Sequence, residues 1–79
     1  MENKYGDGTV AQRGDVVVGS DHARYVVVNP THSDGFVRLT TIGNPAGFTR
    51  TAPIDSCRKC VADEDEKQRA IEALKKVEG

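Results

Sequence analysis

A chain of 79 residues, 37% apolar and 29% charged, has room for one small domain with a single core, and its valine runs exclude a disordered chain. A formal net charge of −1 excludes the global basic field that draws a protein onto nucleic acid or an anionic membrane. No run approaches the ~18 apolar residues needed to span a bilayer, and the opening Met-Glu-Asn-Lys-Tyr-Gly-Asp-Gly has no apolar signal core, so a cytoplasmic protein without membrane contact is expected.

Charge is unevenly spread. Between Thr9 and Cys60, Arg13, Arg24, Arg38, Arg50, Arg58 and Lys59 oppose Asp15, Asp21, Asp34 and Asp55, which leaves that body at +2 and the remainder acidic. Five of its six cations are arginines, whose planar forks suit phosphate or carboxylate recognition.

Residues 1–8 are polar, hold two glycines and read as a flexible lead-in. Thr9 to Ala11 reads as an edge strand, and Gln12-Arg13-Gly14-Asp15 as a turn into the strand Val16-Val17-Val18. Gly19 to Ala23 forms a loop, and Arg24 to Val28 a second strand that Asn29-Pro30 ends, because proline has no amide to donate. Branching at Cβ favours extended backbone, so these two valine runs are the expected floor of the core. Thr31 to Gly35 is a loop whose Asp34-Gly35 end is a turn signal.

Phe36 to Ile42 alternates. Val37 and Leu39 share one face, and Phe36, Arg38 and Thr40 the other, the period of a half-buried strand. Gly43 to Gly47 is the next turn, and Phe48 to Thr51 a fourth strand with Phe48 and Arg50 on one side. Pro53-Ile54-Asp55-Ser56 predicts a 3₁₀ turn before a short closing strand, Cys57 to Val61. Strands this short and closely spaced, with no intervening helix, predict a mainly β fold, a small antiparallel barrel of about five strands over residues 9–61.

From Asp63 the period changes. Asp63 is an N-cap candidate, and Glu66 three residues on completes a capping box. Acidic residues open this helix and Lys75 and Lys76 close it, as the macrodipole favours. Ala70, Ile71, Leu74 and Val77 form its narrow apolar stripe. Residues 62–79 are thus an amphipathic C-terminal helix, about 21 Å long from Glu64 to Val77. So short a helix is marginal alone, and the expected dock is the open end of its own barrel, with a second subunit next.

The layout of five short strands, with Gly14-Asp15 before Val17 and Pro53-Ile54-Asp55 before the last strand, resembles the SH3-like small barrels, and among them the KOW and Tudor-type group, over about Gln12 to Val61. The paired glycines of a KOW element are replaced by Asp21-His22-Ala23-Arg24; the aromatics are Tyr5, Tyr25, Phe36 and Phe48, with no tryptophan. What the resemblance implies is the scaffold, and scaffolds host many functions.

Cys57-Arg58-Lys59-Cys60 is the candidate metal or redox cluster. A structural zinc site needs four ligands, reached only by adding His22 and His32, both upstream and ten residues apart. In a strand the odd separation also points the two sulfurs to opposite faces, so one buried and one half-exposed thiol is the expectation, with Arg58 and Lys59 lowering the thiol pKa. His22 and His32 sit in loops beside Asp21 and Asp34, where either can act as a general base, though loop histidines near aspartates are usually solvated turn residues. The sequence holds no nucleophile elbow, phosphate loop or His-Glu-x-x-His, so neither an enzyme nor a cofactor is expected.

Arg24, Arg38, Arg50 and Arg58 are the candidate binding residues. With Arg38 and Arg50 on neighbouring strands and Phe36 and Phe48 on the same faces, an arginine and aromatic ridge can stack bases and hold phosphates. The opposing expectation is that so small a barrel keeps Phe36 and Phe48 in its core, under solvated arginines. The first expectation for function is a non-catalytic module that binds a protein partner through a barrel face or through Ile71, Leu74 and Val77, with homodimerisation as one version. Weak nucleic-acid binding through the ridge is the second, and a zinc-stabilised module through Cys57 and Cys60 the third.

Overall fold

The computed structural model describes residues 2–43 and 47–78; residues 44–46, the middle of the turn expected from Gly43 to Gly47, lie outside the described residues. Five antiparallel strands form one sheet: β1 (Val16–Val18), β2 (Arg24–Ser33), β3 (Phe36–Thr41), β4 (Thr49–Pro53) and β5 (Arg58–Lys59), in the order β4-β3-β2-β1-β5. A 3₁₀ turn, Ile54–Ser56, precedes β5, and helix α1 (Glu64–Glu78) ends the chain. None of the described helices is long and apolar enough to cross a membrane.

The two edge strands are consecutive in sequence. One 3₁₀ turn and a cysteine join them, a path of about 13 Å at ~2.0 Å per 3₁₀ residue and ~3.4 Å per extended one. A flat five-stranded sheet spans about 19 Å at ~4.8 Å per strand, so the sheet must curl to let this connection close. No ladder pairs β4 with β5 among the described residues.

The register sorts the side chains. Val17 lies opposite Tyr25, Leu39 opposite Val27 and Val37 opposite Ala52, and with Ile54 and Cys57 these residues form the cluster inside the curl. Val16 and Val26, also partners, face the other way and form a second cluster with Ile42, Ala70 and Ala73 of α1. The helix therefore docks on the outer face of the sheet, not on an open barrel end. Its inward side is also rotated from the predicted stripe: Ala70 and Ala73 are buried and Leu74 packs beside them, whereas Ile71 is 45% exposed. Small side chains let the helix axis approach the sheet, and a longer residue is carried to the flank.

Asp63 caps α1 by accepting the Glu66 amide at 2.8 Å. The return arm of the capping box is absent, because the Glu66 carboxylate instead meets the Arg24 guanidinium at 2.7 Å and ties β2 to α1.

Residues 2–8, the described part of the expected lead-in, are not loose. Lys4 bridges Val10, Tyr5 is buried in the inner cluster, and the Ala11 amide donates to the Asn3 carbonyl at 2.9 Å, so this segment folds back on itself instead of adding a Thr9 to Ala11 edge strand. The buried Asn3 side chain donates to the carbonyls of Pro30, Ser33 and Phe36 at 3.0, 3.0 and 2.9 Å. Two amide hydrogens serve three acceptors, so one is shared.

β2 also runs on past Asn29-Pro30 to Ser33, through register shifts between Val27 and Asn29 and between Asn29 and Ser33. β1 covers β2 only as far as Val26. Pro30 therefore lies where the strand has a partner on one side alone, which is where a sheet tolerates a missing amide.

Candidate interaction surface

The four candidate arginines do not form one ridge. Arg38 lies opposite Thr51, and Arg50 opposite Leu39. Neighbouring register positions alternate between faces, so Arg38 is on the outer face and Arg50 on the inner one. Arg24 sits at the start of β2, occupied by Glu66 and 3.4 Å from the Cys60 sulfur. Arg58 is exposed on β5, opposite Val18.

Arg50 belongs to a small polar cluster at the mouth of the curl. Its guanidinium carbon lies 5.4 Å from the Tyr25 ring centroid, its Nη1 donates to the Tyr25 hydroxyl at 3.0 Å, and Asp21 is 3.5 Å away. The Tyr25 hydroxyl in turn donates to Asp21 at 2.7 Å. That bond, with the Ala23 amide and the Arg50 charge, holds the Asp21 carboxyl below its usual range; Tyr25 and Asp21 keep the Arg50 guanidinium more firmly protonated. Gly19 makes the cluster possible, since a Cβ there would lie 2.9 Å from the Tyr25 ring and 3.0 Å from the Asp21 carboxylate.

Phe36 and Phe48 are in solvent, 42% and 63% exposed, against the expectation that a small barrel needs both inside. The reason is the register: the inward positions of β3 belong to Val37 and Leu39, which together with Tyr5 and Tyr25 already fill the interior. Phe36 shares the outer face with Arg38, opposite Pro53; the Thr41 amide donates to the Phe48 carbonyl at 2.9 Å, placing Phe48 one step beyond β4 on the face of Arg50. Each face of the β3–β4 hairpin thus carries one phenylalanine and one arginine.

Elsewhere the geometry offers little chemistry. Cys57 is buried in the inner cluster and Cys60 packs against the outer one, so the sulfurs lie on opposite faces. Burial pushes both thiols up, and at Cys60 it outweighs Arg24, contrary to the lowering expected from neighbouring cations. His22 and His32 are exposed, and among the described residues no three His, Cys, Asp or Glu side chains group where they could hold a metal. A groove of about 570 Å³ runs beside the start of α1 between Arg24, Ile42, Ala62 and Arg69, but Asp63, Asp65 and Glu66 share its lining. Of the helix stripe, Leu74 and Val77 are partly buried and only Ile71 stands out.

Sequence reasoning overlooked Thr49 and Thr51, which lie on an edge strand. The signal was Pro53, a residue that strands accept mainly at sheet edges. The chain matches no protein family, no characterised protein and no solved structure in comparisons with each.

Proposed function

We propose that this protein is a non-catalytic interaction module that docks a protein partner on its β3–β4 hairpin. The observation that carries the reading is the exposure of both phenylalanines of the chain, 42% and 63%, on that one hairpin. Burying a phenylalanine fully contributes up to about 3 kcal/mol, so a small domain that leaves Phe48 mostly and Phe36 partly in water forgoes part of that stabilisation. Apolar side chains flanked by arginine are the usual make-up of a protein-binding centre, where aromatic and arginine residues dominate affinity. The helix stripe supports the reading less, because α1 already uses that side on its own sheet.

The test is affinity capture from the native host with the wild-type protein and with a Phe36→Ser, Phe48→Ser double variant, followed by mass spectrometry. A partner held by the wild type and lost by the folded double variant is the expected result. Equal capture by both removes the hairpin from the proposal.

A further inference from the structure

The hydrogen-bonding phase of β4 decides which of its backbone groups are free. The Thr41 amide donates to the Phe48 carbonyl at 2.9 Å and the Ile54 amide to the Gly35 carbonyl at 2.8 Å, so both ends of the β3–β4 ladder close on hydrogen-bonded pairs. Bonded and non-bonded pairs alternate along an antiparallel ladder. Leu39 with Arg50 and Val37 with Ala52 are then the bonded pairs, and Thr49, Thr51 and Pro53, opposite Thr40, Arg38 and Phe36, turn their backbone groups away from β3.

β4 ends the sheet, so among the described residues those groups meet no further strand. Thr49 and Thr51 each present one amide and one carbonyl outward, and both residues are exposed. Pro53 limits the row: it has no amide to offer, and its carbonyl accepts the Ser56 hydroxyl at 2.8 Å. Unpaired edge groups of this kind are a template for another strand, and natural sheets generally cover or blunt them.

The side chains beside this edge select what can pair with it. Arg38 Nη2 donates to the Thr49 hydroxyl at 3.2 Å, which brings the guanidinium from β3 to a residue of the edge strand β4. Among the described residues Arg38 has that hydroxyl and no carboxylate as partner. Arg50 and Phe48 flank the edge on the other face, Phe36 and Pro53 share the face of Arg38, and residues 47–54 contain no acid. An added strand alternates its side chains between these two faces, so an acidic segment with interspersed apolar residues meets Arg38 and Phe36 on one face, and on the other Phe48 beside Arg50, whose charge Asp21 already partly offsets at 3.5 Å. A second copy of β4 would instead bring arginines against arginines.

We infer that the free edge of β4 takes an extended acidic segment of the partner as a sixth strand, bonded to the backbone of Thr49 and Thr51 and oriented by Arg38. This deepens the proposed function and rests on the β3–β4 hairpin being the docking surface.

The probe is a displayed library of random twelve-residue peptides selected on the intact protein, with the enriched peptide then titrated into labelled protein by NMR. Enrichment of Asp and Glu alternating with β-branched or aromatic residues, with shifts centred on the Thr49 and Thr51 amides, is expected. Thr51→Pro removes an outward amide without touching the β3 ladder and should weaken binding about tenfold or more; Arg38→Gln, an exposed change that leaves the fold intact, should weaken it about fivefold. No enrichment, enrichment of basic peptides, or affinity unmoved by either variant overturns the inference. So does capture of oligo(dT) at low salt on the same residues, or a dimer that Thr51→Pro dissociates, since each assigns the edge to a different occupant. If partner capture still depends on Phe36 and Phe48 while Thr51→Pro has no effect, the docking surface stands and strand addition falls.

Discussion

The Gly35 amide donates to the side-chain oxygen of Asn3 at 3.0 Å, joining residues 32 apart in the chain. With the three carbonyls on its Nδ2, Asn3 serves four backbone groups around the β2–β3 turn. Gly35 is itself at φ 81, a conformation other residues adopt only with strain, so the turn cannot readily shift to find new partners.

Asn3→Ala should therefore destabilise the fold by about 2–4 kcal/mol, the range for stranding several part-buried polar groups. Deletion of residues 1–8 should cost more, because Tyr5 leaves the inner cluster with it. Urea unfolding followed by circular dichroism measures both; a loss below about 0.5 kcal/mol for Asn3→Ala would mean that water replaces its bonds.

Thr40→Val should have the opposite sign. Thr40 is fully buried, opposite Val26 in the register, and among the described residues its hydroxyl has no hydrogen-bond partner. Replacing an unsatisfied hydroxyl by a methyl removes a desolvation cost of about 1–2 kcal/mol. In a domain of this size that raises the melting temperature by roughly 4–8 °C per kcal/mol, readable by calorimetry. An unchanged or lower melting temperature would show that the hydroxyl is served.

The β1–β2 loop contains two backbone requirements. His22 sits at φ 65, left-handed geometry that costs an L-residue about 1 kcal/mol or more, so His22→Gly should stabilise by about 0.5–1 kcal/mol. Gly19→Ala should destabilise by about 1–3 kcal/mol, because its Cβ must displace Tyr25 and Asp21. Thermal denaturation of the two variants should move in opposite directions.

Alkaline pH should act through Tyr5. Its hydroxyl donates to Asp15 at 2.8 Å, and burial, followed by that bond and the Asp15 charge, pushes the phenol well above its ordinary 10.0. A group whose folded-state pKa is raised contributes stability that is complete below the unfolded value and is lost as pH rises past it. Above pH 10 the unfolded chain releases the proton while the folded one keeps it, so stability falls by up to about 1.4 kcal/mol per pH unit. Tyr5→Phe should remove that slope from a pH series of urea midpoints, at the expense of lower stability at pH 7.

The sheet was legible because it rests on local signals. Val16 to Val18 and Arg24 to Val28 carry β-branched runs, Val37 and Leu39 alternate with polar neighbours, and Pro53 stands before the 3₁₀ turn. The errors needed distant partners. Asn3 is an ordinary polar residue until the β2–β3 turn, some 30 residues on, surrounds it. Ala73 adds little to a hydrophobic period, yet its small size is what packs against Val16 and Val26. Glu66 fits a capping box by spacing, but Arg24 is the stronger partner and comes from another element. At the candidate site, alternation correctly separated Phe36 and Arg38 from Val37 and Leu39. It could not say that the two tyrosines, one from the supposedly loose lead-in, would fill the interior and leave both phenylalanines outside.

That exchange gives a comparison separating function from stability. Leu39→Ala, at a fully buried inner position, should cost about 2–5 kcal/mol, whereas Phe48→Ser, with most of its ring already in water, should cost less than about 1 kcal/mol. Phe36→Ser, opposite Pro53 and less exposed, should fall between them. If partner binding is lost in Phe48→Ser while its urea midpoint stays near the wild-type value, the ring is held out for recognition. If the midpoint collapses with binding, Phe48 is a packing residue and the docking surface must be sought elsewhere on the sheet.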